Sequence, residues 1–141
     1  MLALFLIQER RKGEESFWKY YLKSLPPNVN SMPLFFVEEE KAMLEGSPVL
    51  RTLEKRVKEM DKDFNTLKDN IPEFRSISYS EFAYHRCLAS SRVFGFQVNG
   101  KKTGGMVPFL GEFLNHNDNP RAYQESPLCP KFPNSEKNQF F

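Results

Sequence analysis

A chain of 141 residues with 40% hydrophobic and 14% aromatic content has enough apolar material for one domain core and too little for two. Its 20 basic and 18 acidic residues nearly cancel, which excludes a global field drawing it to nucleic acid or to an anionic membrane. Two cysteines, Cys87 and Cys129, are too few for a disulfide scaffold and suit a reducing, intracellular compartment, cytoplasm or nucleus.

The apolar run Leu2-Ala3-Leu4-Phe5-Leu6-Ile7 is too short for a signal-peptide core with its cleavage site, and far short of the roughly 20 residues that cross a bilayer. It passes directly into Gln8-Glu9-Arg10-Arg11-Lys12 and then Gly13, the charged end and glycine stop of a short helix. Because domains seldom open on a core helix, the chain is expected to begin inside a larger unit. Residues 14–25 predict a second helix, with Phe17, Tyr20, Tyr21 and Leu25 on one face, Trp18 beside them, and Pro26-Pro27 as the stop. Residues 28–46 read as a loop with a short extended or helical piece, ending in the acidic cluster Glu38-Glu39-Glu40.

Ser47-Pro48 is a capping residue followed by proline at the first helical position, where its missing N–H costs nothing. Leu50, Leu53, Val57, Met60, Phe64 and Leu67 follow in steps of three and four, so the spacing predicts an amphipathic helix running to Asp69 or Asn70. A further helix is expected from Ser78, with Glu81 at capping-box spacing and Phe82, His85, Leu88, Ala89, Arg92 and Val93 on one side. From Gly95 the pattern changes to short extended pieces, residues 96–98 and 106–109, around an Asn99-Gly100 hairpin signal. The segment 121–141 is rich in Pro, Ser and Asn and predicts an irregular or disordered tail.

Several chemistries can be set aside on spacing. Gly95, four residues, Gly100 and Lys101 approach a phosphate-binding loop, but Lys102 stands where Ser or Thr must hold magnesium, and Gly104, Gly105 and Pro108 break any following helix. His85 and Cys87 lie two apart on a helix and point to different sides, so no metal site is expected from the stock of His85, Cys87, His116 and Cys129. Ser90 and Ser91 have no strand-turn-helix setting for a nucleophile. Two lysines at 101 and 102 make no basic stripe, so direct nucleic-acid binding is not expected.

In order along the chain, Phe17-Trp18 with the Leu25-Pro26 stop, Ser90-Ser91-Arg92-Val93-Phe94, Met106-Val107-Pro108-Phe109 and Asn115-His116 resemble the SET-domain protein methyltransferases. The branch most similar is that typified by Rubisco large-subunit lysine methyltransferase, which carries a helical insert in the SET fold. The resemblance implies an α+β, mainly helical fold with a small β element. Residues 1–120 would form a partial SET domain, with 1–94 the helical insert region and 95–120 the late SET core.

It further implies transfer of a methyl group from S-adenosylmethionine to a protein lysine, or to histidine as in some relatives, so the expected partner is a protein substrate. Asn115 and His116 match the pair that lies beside the cofactor in that family, where the backbone recognises adenine and the Asn amide helps hold the methionine end. Arg92 matches an arginine of the same pocket, and a guanidinium suits a carboxylate because it donates two parallel hydrogen bonds. The stretch from Pro108 to Asn115 is one residue longer than is usual in the family, and Glu112 stands in for its Asp. The family's Gly-x-Gly segment belongs before the first helix and its tyrosine motif after Gly111, in a setting that Tyr123 lacks. The chain is therefore expected to be a fragment cut at both ends, with little or no turnover by itself. The alternative is a non-catalytic helical interaction module or a degenerate SET remnant.

Overall fold

The computed structural model describes residues 2–98, 100–109 and 111. The chain divides into two compact units, Met1–Leu88 and Ala89–Phe141. Among the described residues there are helices α1 (Leu2–Arg11), α2 (Lys19–Ser24), α3 (Glu38–Ala42), α4 (Pro48–Asn70) and α5 (Tyr79–Ser90), then strands β1 (Val93–Val98) and β2 (Lys101–Met106). Tight 3₁₀ turns at Gly13–Glu15, Pro33–Phe35 and Pro72–Ser76 separate several of them. The mainly helical α+β expectation holds, and among the described residues the β part is one hairpin.

The first unit is built on α4. Ser47 caps it as its side chain predicts: Ser47 Oγ accepts from the Val49 amide at 3.2 Å, and Pro48 opens the helix. The helix has 23 residues. Leu53, Met60 and Phe64 are buried and Leu50, Val57 and Leu67 partly so, which is the stripe that the three-and-four spacing calls for. Replacing Ser47 with alanine is expected to lower stability by about 1 kcal/mol, read as the shift in a urea midpoint, because one helix-start amide loses its acceptor.

Against this stripe lie Ala3 and Ile7 of α1, Phe74 and Ile77 from the 3₁₀ turn and its exit, and Phe82 and Ala83 of α5. Phe64, Phe74 and Phe82 meet pairwise with ring centroids 5.3, 5.5 and 5.6 Å apart, and the Tyr79 ring stands 5.3 Å from Phe64. All but the tilted Phe64–Phe82 pair are edge-on, and such contacts add to what burial alone supplies. At the rim, Arg11 of α1 is anchored across a long stretch of chain. Its Nη1 donates to Ser76 Oγ at 2.8 Å, and its Nε and Nη2 donate to the Glu81 carboxylate at 3.3 and 3.0 Å. Arg10 lies over the Tyr84 ring at 5.3 Å, and Tyr84 Oη donates to the Pro26 carbonyl at 2.5 Å.

The predicted second helix over 14–25 is broken in two. Ser16 is buried and extended; its hydroxyl donates to Glu9 Oε2 at 2.7 Å and accepts from the Trp18 amide at 3.0 Å. That local bond competes with helix continuation, and the chain restarts as α2 only at Lys19. The Lys12 ammonium and the Ser16 hydroxyl hold the Glu9 carboxyl below its ordinary range. As a result the expected aromatic face is split: Tyr21 and Leu25 are buried, whereas Phe17 and Tyr20 are 86% and 70% exposed.

The end of α5 also differs from expectation. Ser78 Oγ accepts from the Glu81 amide at 3.1 Å and so starts the helix as predicted, but Ser90 ends it. The Arg92 amide donates to the Ala89 carbonyl at 3.0 Å in a closing turn, and Val93 opens β1. Arg92 and Val93 are therefore off the helix face, because a β-branched and aromatic run with a pairing partner prefers the strand.

In the second unit the strand limits differ from those expected. Val98 pairs with Lys101 and Val93 with Met106, so only two residues connect the strands, and Gly100 supplies a φ of +75°. A turn that short fixes the register and draws Lys101-Lys102-Thr103-Gly104-Gly105, expected as loop, into β2. Residues 107–109, expected as strand, lie beyond it.

Candidate cofactor site

Arg92 occupies the two-residue link between α5 and β1 and is half-buried. Its Nη1 donates to Ser91 Oγ at 2.7 Å, and its Nε is buried. The preceding serine thus steers the guanidinium, a role that Ser91 alone in the sequence did not signal. Glu112, Asn115 and His116, the other residues expected at the cofactor, lie outside the described residues, as does the tail over 121–141.

What the structure describes is the approach to them. Val93, directly after Arg92, pairs with Met106 at the open end of the hairpin. The chain then turns over residues 107–111, where the Gly111 amide donates to the Val107 carbonyl at 3.2 Å. Gly111 is buried, and a Cβ placed on it would come within 3.0 Å of the Phe94 ring. Gly111 therefore lies beside the ring of Phe94, the residue that follows Val93.

Other candidate chemistry is accounted for by packing. The Gly95, Gly100 and Lys101 spacing lies across β1, the turn and β2, not in a loop that opens a helix. Burial pushes the Cys87 thiol up from its ordinary value, which opposes the thiolate that a nucleophile needs. Burial, and then the hydrogen bond to Asp61, push Tyr79 up to about 12, so it stays a phenol. No group of three or more His, Cys, Asp or Glu side chains among the described residues is arranged to hold a metal. None of the described helices is long and apolar enough to cross a membrane.

His85 is 3% exposed. Its Nδ1 lies 2.7 Å from the Glu81 carbonyl oxygen, which can only accept, so Nδ1 carries the proton and Nε2 the lone pair. Nε2 is buried without a hydrogen-bond partner among the described residues. Burial first, and Arg10 and Arg11 in addition, hold the imidazole below its ordinary pKa, against the raising effect of the Glu81 carbonyl. Between the folded value and about 6.5 the unfolded chain binds the extra proton. Stability is therefore full above about pH 6.5 and falls as the pH drops through that window. In thermal melts from pH 7.5 to 5, His85→Gln is expected to lose this part of the slope; parallel wild-type and variant profiles would refute the assignment.

Sequence comparison gives these features a context. The chain is similar to the [fructose-bisphosphate aldolase]-lysine N-methyltransferase, chloroplastic, of Arabidopsis thaliana. The two are 34% identical over 122 residues, which cover 82% of this chain and 24% of the relative. The chain thus spans about a quarter of the length of the curated relative it matches. No family model matches the chain, and no solved structure does. The likeness is to a lysine N-methyltransferase, in agreement at that level with the relationship inferred from the motifs.

Proposed function

We propose that this chain is part of an S-adenosylmethionine-dependent protein-lysine N-methyltransferase of the SET type, carrying the helical insert and the start of the late core. In this reading Arg92, Glu112, Asn115 and His116 hold the cofactor. The observation that carries it is the 34% identity, over 82% of the chain, to a lysine N-methyltransferase. The hairpin register supports it, since Val93 and Met106 pair at the end where the segments bearing Arg92 and Asn115 connect.

The cofactor would supply a methyl group on a sulfonium, open to in-line attack by a neutral amine. The chain's own residues bind and orient. The Arg92 guanidinium is a fixed cation suited to a carboxylate, Asn115 can donate and accept through its amide, and orientation is where most of the rate for such a transfer arises. The acceptor would be a lysine of an intracellular protein, and the relative's name makes fructose-bisphosphate aldolase the first to try.

The test is calorimetric titration of the chain with S-adenosylmethionine, followed by tritiated-methyl transfer to aldolase. Saturable binding with little or no transfer by this chain alone is the expected result; labelled aldolase would overturn the expected inactivity and identify the acceptor. Absence of binding to a chain whose helical circular dichroism is intact would sink the cofactor reading.

A second reading, a helical interaction module, is favoured by one observation: Phe17 and Tyr20 are 86% and 70% exposed, and Phe17 meets Trp18, which in turn meets Phe5. Exposed aromatic groupings of this kind mark contact surfaces. That reading predicts a folded, monodisperse chain without affinity for the cofactor.

A further inference from the structure

Phe17 stands out of the surface because the residues on either side of it are held in. Ser16 is 2% exposed; its hydroxyl donates to Glu9 Oε2 at 2.7 Å and accepts from the Trp18 amide at 3.0 Å, which fixes the backbone before and after Phe17. Trp18, half-buried, is met by three rings at steep angles: Phe17 at 5.2 Å and 86°, Phe5 of α1 at 6.3 Å and 78°, and the buried Tyr21 at 6.2 Å and 73°. Phe17 is 86% exposed and Phe5 42%. The indole plane is thus steeply inclined to the planes of two rings that are open to solvent.

Three aromatic side chains of about 150–250 Å² each, already packed on one another, fall short of the about 800 Å² per partner that a stable protein interface covers. The grouping therefore fits a single side chain, not a second copy of this chain. Ring faces carry the negative part of the aromatic quadrupole and draw cations. Close by in sequence the chain uses that attraction itself, since the Lys19 ammonium lies 5.3 Å over the Tyr20 ring. The neighbouring lysines are engaged, Lys12 with Glu9 and both Lys19 and Lys23 with Glu14, whereas Glu15 is exposed and makes no ion pair among the described residues. A primary ammonium is strongly hydrated and costly to strip; methyl groups take the place of that water, so a quaternary ammonium keeps the charge and adds apolar contact.

We propose that Phe5, Phe17 and Trp18 form a binding site for a quaternary ammonium, presented as a trimethylated lysine side chain on a protein. Choosing methylated lysine among quaternary ammonium ligands rests on the methyltransferase reading above; the attraction of the rings for such a cation does not. The site recognises a protein whose lysine already carries its methyl groups.

Trp18 is the single tryptophan of the chain, so its fluorescence reports on this grouping. The full chain is titrated with short peptides that differ at one side chain: trimethyl-lysine, lysine, and the uncharged isostere in which a tert-butyl carbon replaces the trimethylated nitrogen. The expected result is a saturable change with the trimethyl-lysine peptide, at an affinity roughly five- to thirtyfold above that for either of the others, the range a partly desolvated contact of cation and ring supplies. Phe17→Ala, which truncates an exposed side chain and leaves the core intact, should abolish the preference. Met43→Ala, 85% exposed and outside this grouping, should keep it. Equal affinity for the charged peptide and its isostere overturns the inference, as does a preference that survives in Phe17→Ala or a fluorescence change that does not saturate. A preference for the trimethylated peptide in a chain that does not bind S-adenosylmethionine would reject the methyltransferase reading and leave this site standing; cofactor binding without that preference would reject the site alone.

Discussion

Replacing Phe74 with alanine is expected to remove about 3–5 kcal/mol of stability, a large share of the roughly 5–15 kcal/mol that a domain has in total. Phe74 is 1% exposed, and its ring meets Phe64 at 5.3 Å and Phe82 at 5.5 Å. It therefore joins the long helix to α5 through a residue that belongs to neither. Truncation would leave a cavity bounded by two rigid rings, which relax poorly into the space. Urea unfolding with far-UV circular dichroism measures the loss. Phe17→Ala is the control, because at 86% exposure it should stay within about 0.5 kcal/mol of the parent. Equal effects of the two changes would contradict this account of the core.

Arg92→Ala carries the second large effect, on binding. If the guanidinium meets the cofactor's carboxylate, its removal deletes a charge-assisted pair worth about 1.5–3 kcal/mol, or roughly ten- to a hundredfold in affinity. Arg92→Lys keeps the charge but not the planar fork, so it should recover only part of the loss. Ser91→Ala should weaken binding less than either, since Ser91 only steers Nη1 through the 2.7 Å hydrogen bond. Calorimetry reads all three. Full affinity in Arg92→Ala would remove Arg92 from the site.

The helices that were legible in the sequence are those whose ends and faces rest on local chemistry. Ser47, Pro48 and the stripe from Leu50 to Leu67 define α4 without reference to the rest of the chain, and Ser78 with Glu81 likewise locates the start of α5. The break at Ser16 was not legible because its cause is a partner seven positions back, Glu9, that periodicity does not see. Similarly, Lys101, Lys102 and the two glycines that follow have no strand propensity of their own; the Asn-Gly turn imposes the pairing on them. For the candidate site, the motif nominated Arg92 but did not show its position on a strand-entry link instead of a helix face. Gly111 gave no signal at all, since a steric requirement appears only when Phe94 and Val107 are brought to it.

The clasp of Arg11 onto Glu81 joins residues 70 positions apart, and Ala3 and Ile7 of the same helix enter the core with Phe82 and Ala83. On a ribosome adding about 5–20 residues per second, the apolar side of α1 would wait roughly 4–14 s for its partners, longer still while they remain in the exit tunnel. Through that interval Ile7, 1% exposed in the finished fold, lacks the part of its cover that Phe82 and Ala83 supply. Helix α1 thus completes its burial only after α5 has been made, and until then it is a natural point of capture for a chaperone.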